Sequence, residues 1–285
     1  MGKNIVGDQF LYKDMFSILF GVLRITACCL IYKFHFDGIY NYDSGINVLI
    51  PFVIFMFLSG FYARENAKNM GGWVRRRLVR IYVPYLLCAV VVIVSNFYMN
   101  YKTVNILDVV SVLFGINLFT GGVLYVVSWY VGFIISYYLM YYYFVVLKTK
   151  VLKLLPVVFI IVIHNVFGVS LYLLYGFVIG VCLSRLFYRF NVFNGILCTS
   201  GGSVFRRIKS LVMVVQNCTY EFFLVHGPVL LLLAHVVKMD GNSALLLGGG
   251  ISIVFAVILK HIAGEIIKKC QWIEVGQRAI VARTL

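Results

Sequence analysis

The sequence predicts an all-α fold, a polytopic bundle of transmembrane helices, and three observations carry that prediction. Hydrophobic residues make up 62% of the 285 and charged residues only 12%, where soluble domains carry about a quarter charged; mean hydropathy is +0.96. Apolar runs recur along the chain at about the 20 residues a helix needs to cross a bilayer. Lys and Arg gather on alternate connections, as they do on cytoplasmic loops. Candidate spans fall at 15–35, 46–64, 78–98, 123–146, 154–168, 169–187, 213–237 and 244–263, eight in all.

The polar opening residues lead into a hydrophobic run too long for a signal h-region and without a cleavage site, so the first helix stays as an anchor. Arg24 and His35 interrupt that run. Eleven residues turn a helix through about 1100°, three turns plus about 20°, so both side chains face the same way, roughly 16 Å apart along the axis. A guanidinium in hydrocarbon costs at least about 2.5 kcal/mol and usually faces a polar cavity. The pair is therefore the first candidate site. His35, at the outer end beside the polar 37–45 loop, can take a proton from a hydroxyl at neutral pH.

The second span ends in Phe57-Leu58-Ser59-Gly60-Phe61, where the small Ser-Gly pair lets helices approach closely. No adjacent base makes Ser59 a nucleophile. The third opens on Gly71-Gly72-Trp73-Val74-Arg75-Arg76-Arg77-Leu78-Val79-Arg80. Arg76 with Arg80, and Arg77 with Arg80, lie along one side of a helix, and guanidinium groups suit phosphate. Two readings stand, a topological stop and a seat for a phosphate-bearing donor. Residues 105–118 read as an amphipathic or re-entrant helix, and the fourth span carries a packing run of Tyr137, Tyr138, Tyr141, Tyr142 and Tyr143.

The two spans flanking Gly168 are short, and 189–210, with Gly195, Gly201 and Gly202, is the longest cytoplasmic loop. The seventh span holds Tyr220, Glu221 and His226. Glu221 and His226 sit about 140° apart around a helix, so they form no acid/base dyad. His226 precedes Gly227-Pro228, which weakens the helix, and reads as a buried structural or substrate-lining group. His164, His235 and His261 are assigned no role.

Charge tests the span count. With the N-terminus inside, all 25 Lys and Arg except Arg24, Lys33, Lys102 and Lys238 fall on the inner side, while Asp37, Asp43, Asp108 and Asp240 fall outside. Both termini are then cytoplasmic. The net charge of +15 follows from this bias and from anionic lipid; no nucleic-acid module accompanies it. Seven cysteines without a C-x-x-C pair give neither a disulfide framework nor a metal site. No repeat or linker divides the chain, so residues 1–285 read as one integral membrane domain.

Five elements in order then carry a resemblance: Arg24-x10-His35, the Ser59-Gly60-Phe61 end of the second span, Arg76-Arg77-Leu78-Val79-Arg80-Ile81-Tyr82-Val83-Pro84, Ser128-Trp129-Tyr130, and Tyr220-Glu221-Phe222-Phe223-Leu224-Val225-His226. Together they resemble the membrane acyltransferase-3 family, over nearly the whole chain. The resemblance implies a bacterial inner-membrane O-acyltransferase. It would take an acyl group, usually acetyl, from cytoplasmic acyl-CoA (acetyl-CoA) to a hydroxyl of a sugar in a cell-surface polysaccharide or lipid-linked glycan. It carries function to Arg24 and His35, and donor binding to the Arg75, Arg76, Arg77 and Arg80 run, above all to Arg77 and Arg80. Ser59, Trp129, Tyr220, Glu221 and His226 are weaker substrate-lining candidates, and no metal is implied. Family members commonly have about ten spans, each needing about 20 apolar residues, and a longer chain, against the eight spans counted here in 285 residues.

On this reading the CoA phosphates rest on the inner arginines, the pantetheine arm passes Arg24, and the thioester meets His35, the general base for the acceptor hydroxyl. An acyl-imidazole on His35 is the variant. The rival is a transporter or flippase of a lipid-linked sugar or small molecule, whose signature of repeats and matched broken helices is missing. A purely structural subunit leaves Arg24 in hydrocarbon unexplained. Membrane lipids are partners on every reading, and a homo-oligomer is compatible with the sequence.

Overall fold

With no water in the bilayer core, a spanning segment must satisfy its own backbone polar groups, which favours the helix. The computed structural model of the protein describes residues 5–63, 70–99, 103–117, 124–125, 127–189 and 203–284, and its regular structure there is all helical. The helices are α1 (Ile5–Tyr40), α2 (Leu49–Phe61), α3 (Met70–Met99), α4 (Ile106–Phe114), α5 (Ser128–Val146), α6 (Lys150–Val166), α7 (Tyr172–Arg189), α8 (Ser203–Gln216), α9 (Thr219–His235) and α10 (Gly241–Thr284).

Four stretches are long and apolar enough to cross a membrane: Phe16–Tyr40, Met70–Met99, Ser128–Val146 and Gly241–Cys270. Helices α8 and α9, bent by 48° at the break between them, make a fifth if counted as one span. The sequence suggests eight. Much of the difference lies in α2, α6 and α7, which sit where spans are expected but hold 13, 17 and 18 residues. The 13 residues of α2 rise only about 20 Å, against a hydrocarbon core of about 30 Å.

Two further expectations change. The span read over 213–237 is interrupted at Asn217–Cys218, where the Cys218 N–H turns back to Val215 O (3.0 Å) and Thr219 Oγ1 donates to Gln216 O (2.8 Å). Most of the loop read at 189–210 lies outside the described residues, as do Lys3, Arg64, Lys68 and Lys102; from Ser203 onward the chain is already helix α8. The amphipathic segment expected at 105–118 is α4. Its start is a capping box, with Asp108 N–H on Asn105 Oδ1 (2.8 Å) and Asn105 N–H on Asp108 Oδ2 (3.2 Å). Gly115, at φ +70°, ends it as a left-handed cap. Tyr82 and Tyr85 of α3 donate to its last carbonyls, Leu113 O and Val112 O, while Ile106, Leu107 and Phe114 face outward.

Close packing centres on α2 against α7. A Cβ on Gly60 would run into Phe177 O and one on Gly180 into Phe57 O, while one on Gly176 would stand 3.0 Å from Val53 O. The close approach expected of Ser59-Gly60 is thus made by Gly60, against the small-x-x-x-small pair Gly176 and Gly180, a membrane packing motif. The core between the helices is aromatic, with Tyr85, Tyr125, Tyr137 and Phe177 fully buried. Tyr137, Tyr138 and Tyr141 face inward, the packing role read from sequence. His164, assigned no role, turns out to be buried and paired: its ring joins Tyr137 Oη (2.5 Å) and Val169 O (2.9 Å), tying α5 to the turn after α6.

Candidate functional site

Helix α1 is flanked by α2, α8, α9 and α10, so side chains that turn away from lipid meet those helices. Two polar clusters form along it. At the level of His35, Pro228 of α9 has no N–H for the carbonyl four residues earlier, and Tyr125 Oη fills that vacancy on Leu224 O at 2.8 Å, with Cys88 Sγ at 3.5 Å. Secured there, α9 directs His226 at α1. His35 Nδ1 lies 2.7 Å from His226 Nε2, and His226 Nδ1 lies 3.1 Å from Phe222 O. The rings are 4.9 Å apart at 19°, nearly coplanar and joined nitrogen to nitrogen.

The network assigns the protons. A carbonyl only accepts, so His226 Nδ1 carries hydrogen and its Nε2, in the neutral ring, is the acceptor. His35 Nδ1 must then be the donor. That leaves the lone pair of a neutral His35 on Nε2. His35 also lines a cavity of about 190 Å³ with Phe34, Tyr125, Val127 and Gly227, a pocket whose other walls are mostly apolar.

The second cluster forms at the level of Arg24. Its guanidinium lies 5.8 Å from the centre of the Tyr62 ring, with Tyr130, Tyr138 and Arg80 in electrostatic reach. It has no ion pair or hydrogen bond among the described residues. Arg77 closes on the same place: its Nη2 donates to Tyr62 O at 2.7 Å, and its guanidinium lies 5.9 Å from both the Trp73 and Tyr138 rings. Glu221 lies in the field of Arg80 and Lys260, with Oε2 buried and without a hydrogen-bond partner among the described residues. Arg24 and Arg77 thus meet at Tyr62 and Tyr138, and Arg80 stands within electrostatic reach of both Arg24 and Glu221, an excess of positive charge suited to an anionic ligand.

The sequence candidates separate accordingly. Arg24 and Arg77 share the Tyr62 and Tyr138 neighbourhood, with Arg80 in reach of Arg24 and of Glu221, and His35 joins His226; Arg75, Arg76 and Arg80 are all exposed on α3, while Arg77 is half-buried. Ser59 has no side-chain partner among the described residues. Trp129 packs on Phe52 (ring centres 4.9 Å) in the core, and Tyr220 Oη donates to Ile81 O (2.8 Å), a tie between α9 and α3. Sequence reasoning gave Tyr62 and Lys260 no part in the site and read Tyr138 only as packing. Of these only Lys260 left a signal, a charge inside an apolar run. Between the clusters Cys28 and Ile31 of α1 are buried in packing, and Arg24 does not line the His35 cavity.

A family model described as an acyltransferase domain matches residues 20–194. The match covers Arg24, His35 and the arginine run, and ends before Glu221 and His226. No curated protein and no solved structure matches the chain.

Proposed function

Because the chain belongs to the membrane acyltransferase-3 family, and so is a membrane acyltransferase, we propose that it moves an acetyl group from cytoplasmic acetyl-CoA to a hydroxyl of a sugar in a cell-surface polysaccharide or lipid-linked glycan. The observation that carries this reading is the hydrogen-bonded chain from Phe222 O through His226 to His35. It makes His35 Nε2 the base. The acceptor O–H proton passes to that nitrogen as the oxygen bonds to the thioester carbonyl carbon. The C–S bond breaks, and the departing sulfur takes the proton back from His35.

The donor is held by charge. Its phosphates meet Arg77 and Arg80, with the exposed Arg75 and Arg76 at the mouth, and Arg24 meets the polar part of the arm beyond. The axial distance from Arg24 to His35, roughly 16 Å, is the reach the arm needs, and the Cys28–Ile31 packing parts to admit it. The whole chain acts as one domain in the bacterial inner membrane, the arginine mouth and both termini cytoplasmic, with α2, α6 and α7 completing the eight-helix topology. Purified protein given radiolabelled acetyl-CoA and candidate glycans tests the reading. His35→Ala is expected to abolish transfer with membrane insertion intact; full activity in that variant would remove His35 from the chemistry.

A further inference from the structure

A second, larger cavity adjoins the His35 pocket. Its volume is about 620 Å³, and it is walled by α3, α9 and α10. Val92, Leu124, Pro228 and Leu231 line both spaces, so the two share a wall of four side chains. Along α3 the groove runs from Leu87 to Met99, roughly 18 Å of helix. Most of its lining is aliphatic or aromatic, but Ser95, Asn96 and His235 gather toward one end.

The rim of this groove is open. Val91 is 61% exposed, Phe255 49% and Ile258 47%, and α3 and α10 are both long and apolar enough to cross the membrane. In a bilayer those side chains face hydrocarbon, so the groove is entered sideways, from the lipid phase. An occupant arriving by that route must be apolar along most of its length, because an unpaired polar group in hydrocarbon costs several kilocalories. It must also carry a polar end, because one end of the groove is polar, and midway along its length the groove shares a wall with the His35 cavity. A linear amphiphile meets both conditions, and a soluble sugar neither.

We infer that this groove binds the long apolar chain of a lipid-borne acceptor and so presents the acceptor's hydroxyl to the His35 cavity. The inference rests on the acyl-transfer reading and sharpens it: the acceptor comes from within the membrane, not from the water outside it. The donor's acyl group and the lipid's hydroxyl then enter from different directions, the one past Arg24 and the other past Val91. Val91→Trp and Ile258→Trp narrow the groove at lipid-exposed positions where a larger side chain disturbs no core. Shutting out even two methylenes weakens binding about tenfold.

The test has a binding arm and a kinetic arm, both on the full chain in nanodiscs. In the first, a polyprenyl-linked sugar with a diazirine in its tail is photolysed and the labelled peptides mapped. Label is expected on 87–99, 225–236 and 255–262, displaced by unlabelled polyprenyl-linked sugar and not by phosphatidylethanolamine. Equal displacement by the phospholipid, or label elsewhere, overturns the inference and leaves ordinary boundary lipid. In the second, acetyl-CoA is offered with the same sugar carried on a polyprenyl chain or on a methyl group. The KM of the polyprenyl form is expected to be the lower, and to rise about tenfold more than that of the methyl form in either Trp variant.

Equal KM values for the two acceptors overturn the inference, as does a Trp variant whose only change is a preference for shorter acyl chains, which would give the groove to the donor. Specific tail labelling without transfer to either acceptor leaves the groove standing and removes the acyl-transfer reading instead.

Discussion

At the scale of residues, His226 does for His35 what a fixed acceptor must do: it holds one nitrogen so that the other is free. Its expected effect is therefore on turnover and not on donor affinity. His226→Ala should lower kcat by roughly 10²-fold or more, the range a positioned general base contributes, with KM for acyl-CoA unchanged; a rise in KM alone would make His226 a lining residue. The arginines should behave in the opposite way. Charge-assisted hydrogen bonds contribute about 1.5 to 3 kcal/mol each, so Arg77→Ala with Arg80→Ala should raise KM for acyl-CoA by at least about tenfold, and an unchanged KM would leave these arginines only a topological role. Arg24 and His35 were legible in the sequence because an ionisable group in an apolar run stands out and helical periodicity fixes their common face. The His35–His226 pair was not, since 191 residues separate its members and nothing local marks which of five histidines will meet. Nor was the Arg77 partner, a backbone carbonyl of Tyr62, for which side-chain identity carries no information.

At the scale of elements, the sequence located helices better than it judged their lengths. Apolar composition marks the places of α2, α6 and α7, and Gly168 marks the break between the last two, but a hydropathy window reads through the turn at Tyr62 as though the chain continued straight. The break between α8 and α9 was hidden for a similar reason, since neither Asn217 nor Cys218 is a strong helix breaker. The contact of α2 with α7 does have a local signature, glycine at 60, 176 and 180. Gly60→Ala would push a methyl group into the backbone oxygen of Phe177, and overpacking of this kind costs about 1 to 3 kcal/mol. A lowered melting temperature in detergent is expected for Gly60→Ala but not for Gly71→Ala, where a methyl group meets nothing within 4 Å. Equal melting of the two variants would mean that α2 and α7 are free to separate.

At the scale of the whole molecule, the fold class followed from composition, but its orientation rests on where basic residues fall. Single cysteines at Arg76 and Tyr42, in a background without other exposed thiols, separate the two faces. A membrane-impermeant thiol reagent should reach Arg76→Cys only from the cytoplasmic side and Tyr42→Cys only from the opposite side; labelling of both from one side would invert or collapse the proposed topology. The bond from His226 Nδ1 to Phe222 O has a consequence at this scale too. A backbone carbonyl accepts a hydrogen bond but passes no proton onward, so the histidine chain is closed at that end, and a proton that enters at His35 Nε2 must leave by the same atom. On the proposed reaction it leaves with the thiol, so each acyl group travelling outward is balanced by one proton travelling inward. No net charge crosses the membrane, the rate is insulated from the membrane voltage, and two linked histidines within the bundle do not become a leak for the proton gradient.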